Sequence, residues 1–164
     1  MNHPPPTDQL PPGAVLADDV IELRLLRVIP SGDPTARPPG TEFLSSAVEY
    51  RFAIHRRTDD LRVGRIHLRI TDDPLILRAL GHTGYAVDEA HRRNGYATRA
   101  IRLVVGLARV CGMTPLWVLI EPDNVASRKS VERVGFEFVD IVETLPEGTA
   151  LGLGPRVCRY VMRS

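Results

Sequence analysis

The chain has 164 residues, 43% hydrophobic and 25% charged, with a formal net charge of +1. This balance fits one ordinary soluble domain with a real core, and gives no electrostatic case for general nucleic-acid or membrane binding. No apolar run approaches the ~20 residues that span a bilayer, and the opening MNHPPPTDQLPPGAV lacks the basic and apolar regions of a signal peptide.

Residues 1–13, rich in Pro and polar side chains, read as a flexible tail ahead of a single domain over 14–164. Val20–Ile29 alternates and stops at Pro30, as a strand does. PSGDPTARPPGTE is a loop, broken by X-Pro steps and glycines, and a short helix is expected around Phe43–Val48. EYRFAIHRR and LRVGRIHLRI, separated by TDD, predict an antiparallel hairpin. Asp72 and Asp73 read as a turn before Pro74, and RALGHTGYAVDE as a further strand ending near Val87.

After Asn94, apolar residues recur at three- and four-residue steps (Ala97, Ala100, Ile101, Val104, Ala108, Cys111), so a helix runs to Gly112. Pro115–Glu121 is a nearly continuous apolar run, the mark of a buried central strand. Asp123 and Asn124 are cap-type residues before a helix that Gly135 ends. FEFVDIVE and RVCRYVM are final strands joined through TLPEGTALGLGP, and exposed sheet edges at the last strand permit a homodimer. The result is a mixed α/β fold.

HRRNGYATRAIR, His91–Arg102, lies where a strand meets a helix start. The first helical turn has unpaired N–H groups and about half a unit of positive charge, which suits a phosphate. Gly95 lets the backbone approach an anion, Ala97 keeps the next turn narrow, and Arg92 and Arg93 add charge. Arg99 and Arg102 face water. A nucleotide P-loop is excluded because no Gly-Lys-Ser/Thr follows, and the dinucleotide fingerprint is absent. An arginine–tyrosine RNA contact is a poor third reading.

In context, the sequence resembles the GCN5-related N-acetyltransferase (GNAT) superfamily, in its RimJ/RimL-like branch that acetylates ribosomal-protein N-termini and related amines. Arg92, Gly95 and Ala97 match the phosphate-loop motif Q/R-x-x-G-x-G/A. Asn124, Ser127, Gly135 and Phe136 match the second acyl-CoA motif, and GHTGYAV resembles the strand that receives pantetheine. The resemblance covers roughly Val48 to Met162. It implies a mostly antiparallel central sheet with a splayed strand pair and flanking helices, acetyl-CoA as cosubstrate and an amine acceptor.

It further implies that N–H groups from Arg93 through Asn94, Gly95 and Tyr96 to Ala97 hold the pyrophosphate. Tyr85–Val87 would bind pantetheine as an added strand, with an N–H near Val87 polarising the thioester carbonyl. Asn124 would fix the pantetheine arm. Arg128 is a candidate for a CoA phosphate, with a solvated helix arginine as the other reading.

Glu121 is the candidate base, or a strand-end surface acid. Relatives carry a proton-donating tyrosine eight positions into the second motif, where this chain has Val131. Ser127 is the remaining candidate donor to the thiolate, or a cap. His82 reads as a packed or hydrogen-bonded histidine, and no metal site is expected. The alternative function is a non-catalytic CoA-binding or regulatory domain.

Overall fold

Alternating strands build the larger sheet. In a computed structural model that describes residues 10, 11 and 13–163, β1 (Val15–Ala17), β2 (Ile21–Ile29), β3 (Val48–Arg56), β4 (Arg62–Ile70) and β5 (Thr83–Val87) pair in that order. All four ladders are antiparallel. The expected tail falls mostly on residues 1–9 and 12, outside the described residues; Leu10 packs against the core.

Alternation sends Tyr50, Phe52, Ile54, Ile66 and Leu68 to one face, where they meet α2 (Tyr96–Val110) through Ala100, Ile101, Val104, Val105 and Ala108. Arg99 does not merely face water: its Nη1 lies 3.0 Å from Asp18 and 2.9 Å from Asp19, tying α2 to the β1–β2 turn.

The second sheet contains β6 (Leu116–Ile120), β7 (Glu137–Glu143) and β8 (Arg156–Met162), in the order β6-β8-β7. The last strand is therefore not an edge: β8 pairs with both neighbours, and β7 is the free side. α3 (Val125–Val134) begins at Asn124, whose side chain accepts from Ser127 N–H, and ends at Gly135 in the left-handed region.

Two short helices depart from the sequence reading. Asp73 and Pro74 open α1 (Pro74–Ala79), with Asp73 capping the Leu75 amide, so the strand expected from Arg78 begins only at Thr83. α4 (Pro146–Ala150) lies in the final connection. The helix expected at Phe43–Val48 is a 3-10 segment, Glu42–Ser46, and Val48 already belongs to β3.

The sheets meet at one place and then diverge. Gly81 bridges Val118, His82 N–H donates to Trp117 C=O at 2.8 Å, and Trp117 N–H donates to His82 Nδ1 at 2.9 Å. His82 Nε2 lies 3.1 Å from Thr71 C=O. Because Nδ1 accepts, Nε2 carries the proton and the ring is neutral. Burial pushes its pKa down to about 4.

Candidate active site

Beyond that pin, the outer edge of β5 is open. Asp88 N–H bonds Val63 C=O and Arg69 N–H bonds His82 C=O, which makes Tyr85–Ile66 and Val87–Gly64 the non-hydrogen-bonded pairs of the β4–β5 ladder. The amides of Tyr85 and Val87 therefore point away from β4, into the gap between the sheets. The Val87 carbonyl on that edge accepts from Arg92 Nε at 3.1 Å.

The gap is a cleft of about 850 Å³ whose walls are Tyr85–Val87, the loop 91–95 and the first turns of α2 and α3. Gly95, at φ +76°, caps α2 with no side chain, and a Cβ there would project into open space. The first helical bond of α2 runs from Arg99 N–H to Gly95 C=O, so the amides of Tyr96, Ala97 and Thr98 precede any intrahelical acceptor. Arg93 takes a left-handed φ of +65°. Asn94 Nδ2 donates to His91 and Arg92 carbonyls at 3.0 and 3.2 Å, which folds the loop tightly before the helix.

Arg92, Arg93, Lys129 and Arg133 line the cleft, and among the described residues no carboxylate does. Two helix N-termini and four cations converge on one space, an arrangement suited to a polyanion that also presents amides to a strand edge.

Tyr85 and Ser127 meet across the cleft. Their hydroxyl oxygens are 2.5 Å apart, and Tyr85 Oη also donates to Ser127 C=O at 3.2 Å. Burial pushes the Tyr85 phenol up, against the lowering effect of the Ser127 bond, so Tyr85 keeps its proton at neutral pH. Val131 is fully buried in the core, and no tyrosine stands in its place.

The structure brings Tyr85, Val87, Arg92, Arg93, Asn94, Gly95, Tyr96, Ala97, Asn124 and Ser127 to this one cleft. Tyr96 contributes backbone, since its side chain is in the core. Arg128 is turned elsewhere: its Nε donates to Tyr160 Oη at 2.8 Å, its Nη1 to Pro122 C=O at 3.1 Å, and its guanidinium lies over Phe138. Glu121 also lies outside the lining, its Oε1 accepting from Gly154 N–H at 2.8 Å. Lys129, Ser130 and Arg133 were not anticipated from the sequence. The three- and four-residue spacing Ser127–Ser130 and Lys129–Arg133 is the signal that places them on the cleft side of α3.

The curated relative Probable N-acetyltransferase YjcK of Bacillus subtilis is 32% identical over 99 residues. That match covers 58% of this chain and 52% of that protein, so the chain spans about half of its length. A ribosomal-protein-S5-alanine acetyltransferase from Vibrio fischeri shares the fold at a TM-score of 0.63 and 14% identity, over 92% of this chain and 96% of that one. A GCN5-related N-acetyltransferase from Brucella melitensis does so at 0.62 and 16%, over 93% and 80%. Residues 31–137, which hold the β5 edge and both helix N-termini, match the family described as an acetyltransferase (GNAT) domain. The chain belongs to that family.

Proposed function

We propose that the chain moves an acetyl group from acetyl-CoA to a primary amine within a ternary complex. The observation that carries this reading is the cleft itself, in which an open strand edge leads to two helix N-termini ringed by four cations. Tyr85 and Val87 amides pair with pantetheine. The amides from Arg93 to Ala97, with Arg92 and Arg93, take the pyrophosphate. Asn124 borders the pantetheine arm while capping α3, and Lys129 and Arg133 supply further charge for phosphate.

The amine nitrogen attacks the thioester carbon, a C–N bond forms and the C–S bond breaks; the nitrogen gives its proton to water or a carboxylate base, and the thiolate gains one from the protein. Ser127, hydrogen-bonded to the protonated Tyr85, is the donor to sulfur. Glu121 accepts from Gly154 N–H and so holds the loop 151–155, and as a carboxylate at the end of β6 it is also the candidate base for the amine's proton. An α-amine, with a pKa near 8, needs little help to be neutral. A lysine-type amine near 10.4 costs about 3 kcal/mol more than that to hold neutral, which favours a peptide N-terminus as acceptor.

A cytoplasmic setting belongs to this proposal and is supported by Cys158, a buried thiol in no disulfide. Among the described residues no helix is long and apolar enough to cross a membrane. A homodimer would use β7, where Phe138, Val139 and Ile141 are exposed.

Acetyl-CoA at 100 times its Kd stabilises a folded protein by about 2.7 kcal/mol, about 5–10 °C in Tm for a chain of this size. That rise is the expected result for the wild type, and Gly95→Trp, which fills the open approach to α2, should abolish it. A flat Tm across millimolar acetyl-CoA would sink the proposal. Thiol release with an amine panel separates an enzyme from a domain that binds without turnover.

A further inference from the structure

The outer face of the larger sheet, opposite α2, carries a charge pattern that the cofactor cleft does not use. Register places Arg27, Arg51, His67 and Gly84 in one row across β2, β3, β4 and β5. The row beside it is Arg24, Ala53, Arg65 and Ala86, and on its other side Glu49 faces Arg69. Residues of such rows share one face of the sheet.

Glu49 is already saturated there. Its Oε1 accepts from Arg51 Nε at 2.7 Å, and its Oε2 lies 3.2 Å from Arg37 Nη1 and 3.4 Å from Arg69 Nε. Three guanidiniums around one carboxylate leave a cationic surplus. The Arg51 side chain is 45% exposed, and exposed Arg65 makes no ion pair among the described residues.

β5 puts only Gly84 and Ala86 on this face, so no side chain of its own larger than a methyl covers that strand. His67 lies directly over Gly84, where a Cβ would come within 2.7 Å of its Cε1. Its Nε2 is buried and has no hydrogen-bond partner. Burial, then Arg69, hold His67 down to about 3 against the opposing pull of Glu49, with Arg51 and Arg65 adding to the depression. The ring is therefore neutral, and its orphaned nitrogen is a place where a ligand's polar hydrogen or lone pair would relieve an unmet bond.

We propose that this face receives the acceptor, and that the acceptor is an amine bearing a carboxylate: Arg51 and Arg65 take the carboxylate, and His67 Nε2 takes the amine end beside Gly84. The inference rests on the acetyltransferase reading. The cofactor cleft is built by Tyr85 and the α2–α3 side of β5, which leaves the Gly84 side of the same strand for the second substrate. Arginine forks match carboxylates in charge and geometry. The same surplus repels a polyamine, so the face selects by exclusion as well as by attraction.

The experiment is thiol release from acetyl-CoA with paired amines that differ in one carboxylate. Glycine against glycinamide tests a free amino acid, and aspartyl-glycinamide against asparaginyl-glycinamide tests a peptide N-terminus. The carboxylate member of at least one pair should be preferred at least tenfold in kcat/KM at low salt, with the preference shrinking as salt rises. Arg65→Gln should bring the ratio within each pair toward one, Arg65→Lys should keep part of it, and acetyl-CoA affinity should be unaltered in both. Equal use of both members, a ratio that survives Arg65→Gln, best turnover with spermidine, or no transfer to any of these amines by protein that binds acetyl-CoA would overturn the inference. Failure of the wild type to bind acetyl-CoA would instead remove the acetyltransferase reading beneath it.

Discussion

At the residue scale, the proton delivery proposed above rests on the two hydroxyls of Tyr85 and Ser127, 2.5 Å apart. Neither alone is a strong acid; both border the cleft, and the proposal treats them as one donor pair. Tyr85→Phe keeps the ring packing and removes the phenol, so kcat should fall by about 10²-fold with little change in KM for acetyl-CoA. Ser127→Ala should do much the same, and the double variant should be no worse than the poorer single one, because the pair acts as a unit. Steady-state kinetics at saturating amine measures this, and additive losses would dissolve the pair. Ser127 was legible from the second motif, whereas the Tyr85 hydroxyl read more simply as that of a half-buried strand aromatic. A phenol reaching 42 residues ahead to a serine on α3 leaves no trace in local spacing. Arg128 shows the converse: the sequence puts it beside Ser127, but Tyr160, Pro122 and Phe138 hold it elsewhere.

At the element scale, the site depends on where β5 and β6 part. Gly81 sits at φ +75°, and a Cβ on it would come within 2.7 Å of Trp117 C=O. Gly81→Ala combines left-handed strain with that backbone clash, so a loss of about 2–3 kcal/mol is expected. The urea midpoint should drop accordingly, and acetyl-CoA affinity should fall with it because the closed end of the cleft moves. An unchanged midpoint would mean that the pin is not where the sheets are joined. Most strands and the two long helices were readable because five or more residues repeat a period of two or of 3.6, or, for β6, form one apolar run; the three-residue β1 was too short to be read. α1 and α4 have six and five residues, too few to show a period. Tertiary contact holds them instead, as where Gly148 packs so closely on Ala79 C=O that a Cβ would come within 2.6 Å of it. Strand order is equally hidden, since nothing local tells the chain that β8 will insert between β6 and β7.

At the scale of the whole molecule, stability is tied to pH by groups that are buried in one charge state. His82 is folded neutral with a pKa of about 4, against about 6.5 when unfolded. Between those values the unfolded chain binds a proton that the folded one refuses, so stability is complete above pH 6.5 and declines as pH falls toward 4. At about 1.36 kcal/mol per unit, the full window is worth up to about 3 kcal/mol. His67, held down to about 3, adds to the same descent. Glu49 works in a lower window: its pKa is about 2 in the fold, where burial raises it but the facing Arg69, His67 and Arg51 lower it more. Its contribution is present above the unfolded value near 4.5 and is lost as pH falls toward 2. The net charge of +1 leaves little global repulsion near neutrality to mask these local terms. Urea unfolding at pH 7.5, 5.5 and 4.0 should therefore show a falling midpoint with a constant m value. His82→Gln should lower the midpoint at pH 7.5, by breaking the pin to Trp117, and flatten the decline below it. Equal wild-type midpoints at pH 7.5 and 5.5 would show that His82 takes up a proton in the fold as readily as in water. The Trp117 amide aimed at its Nδ1 forbids that for as long as the two sheets stay joined.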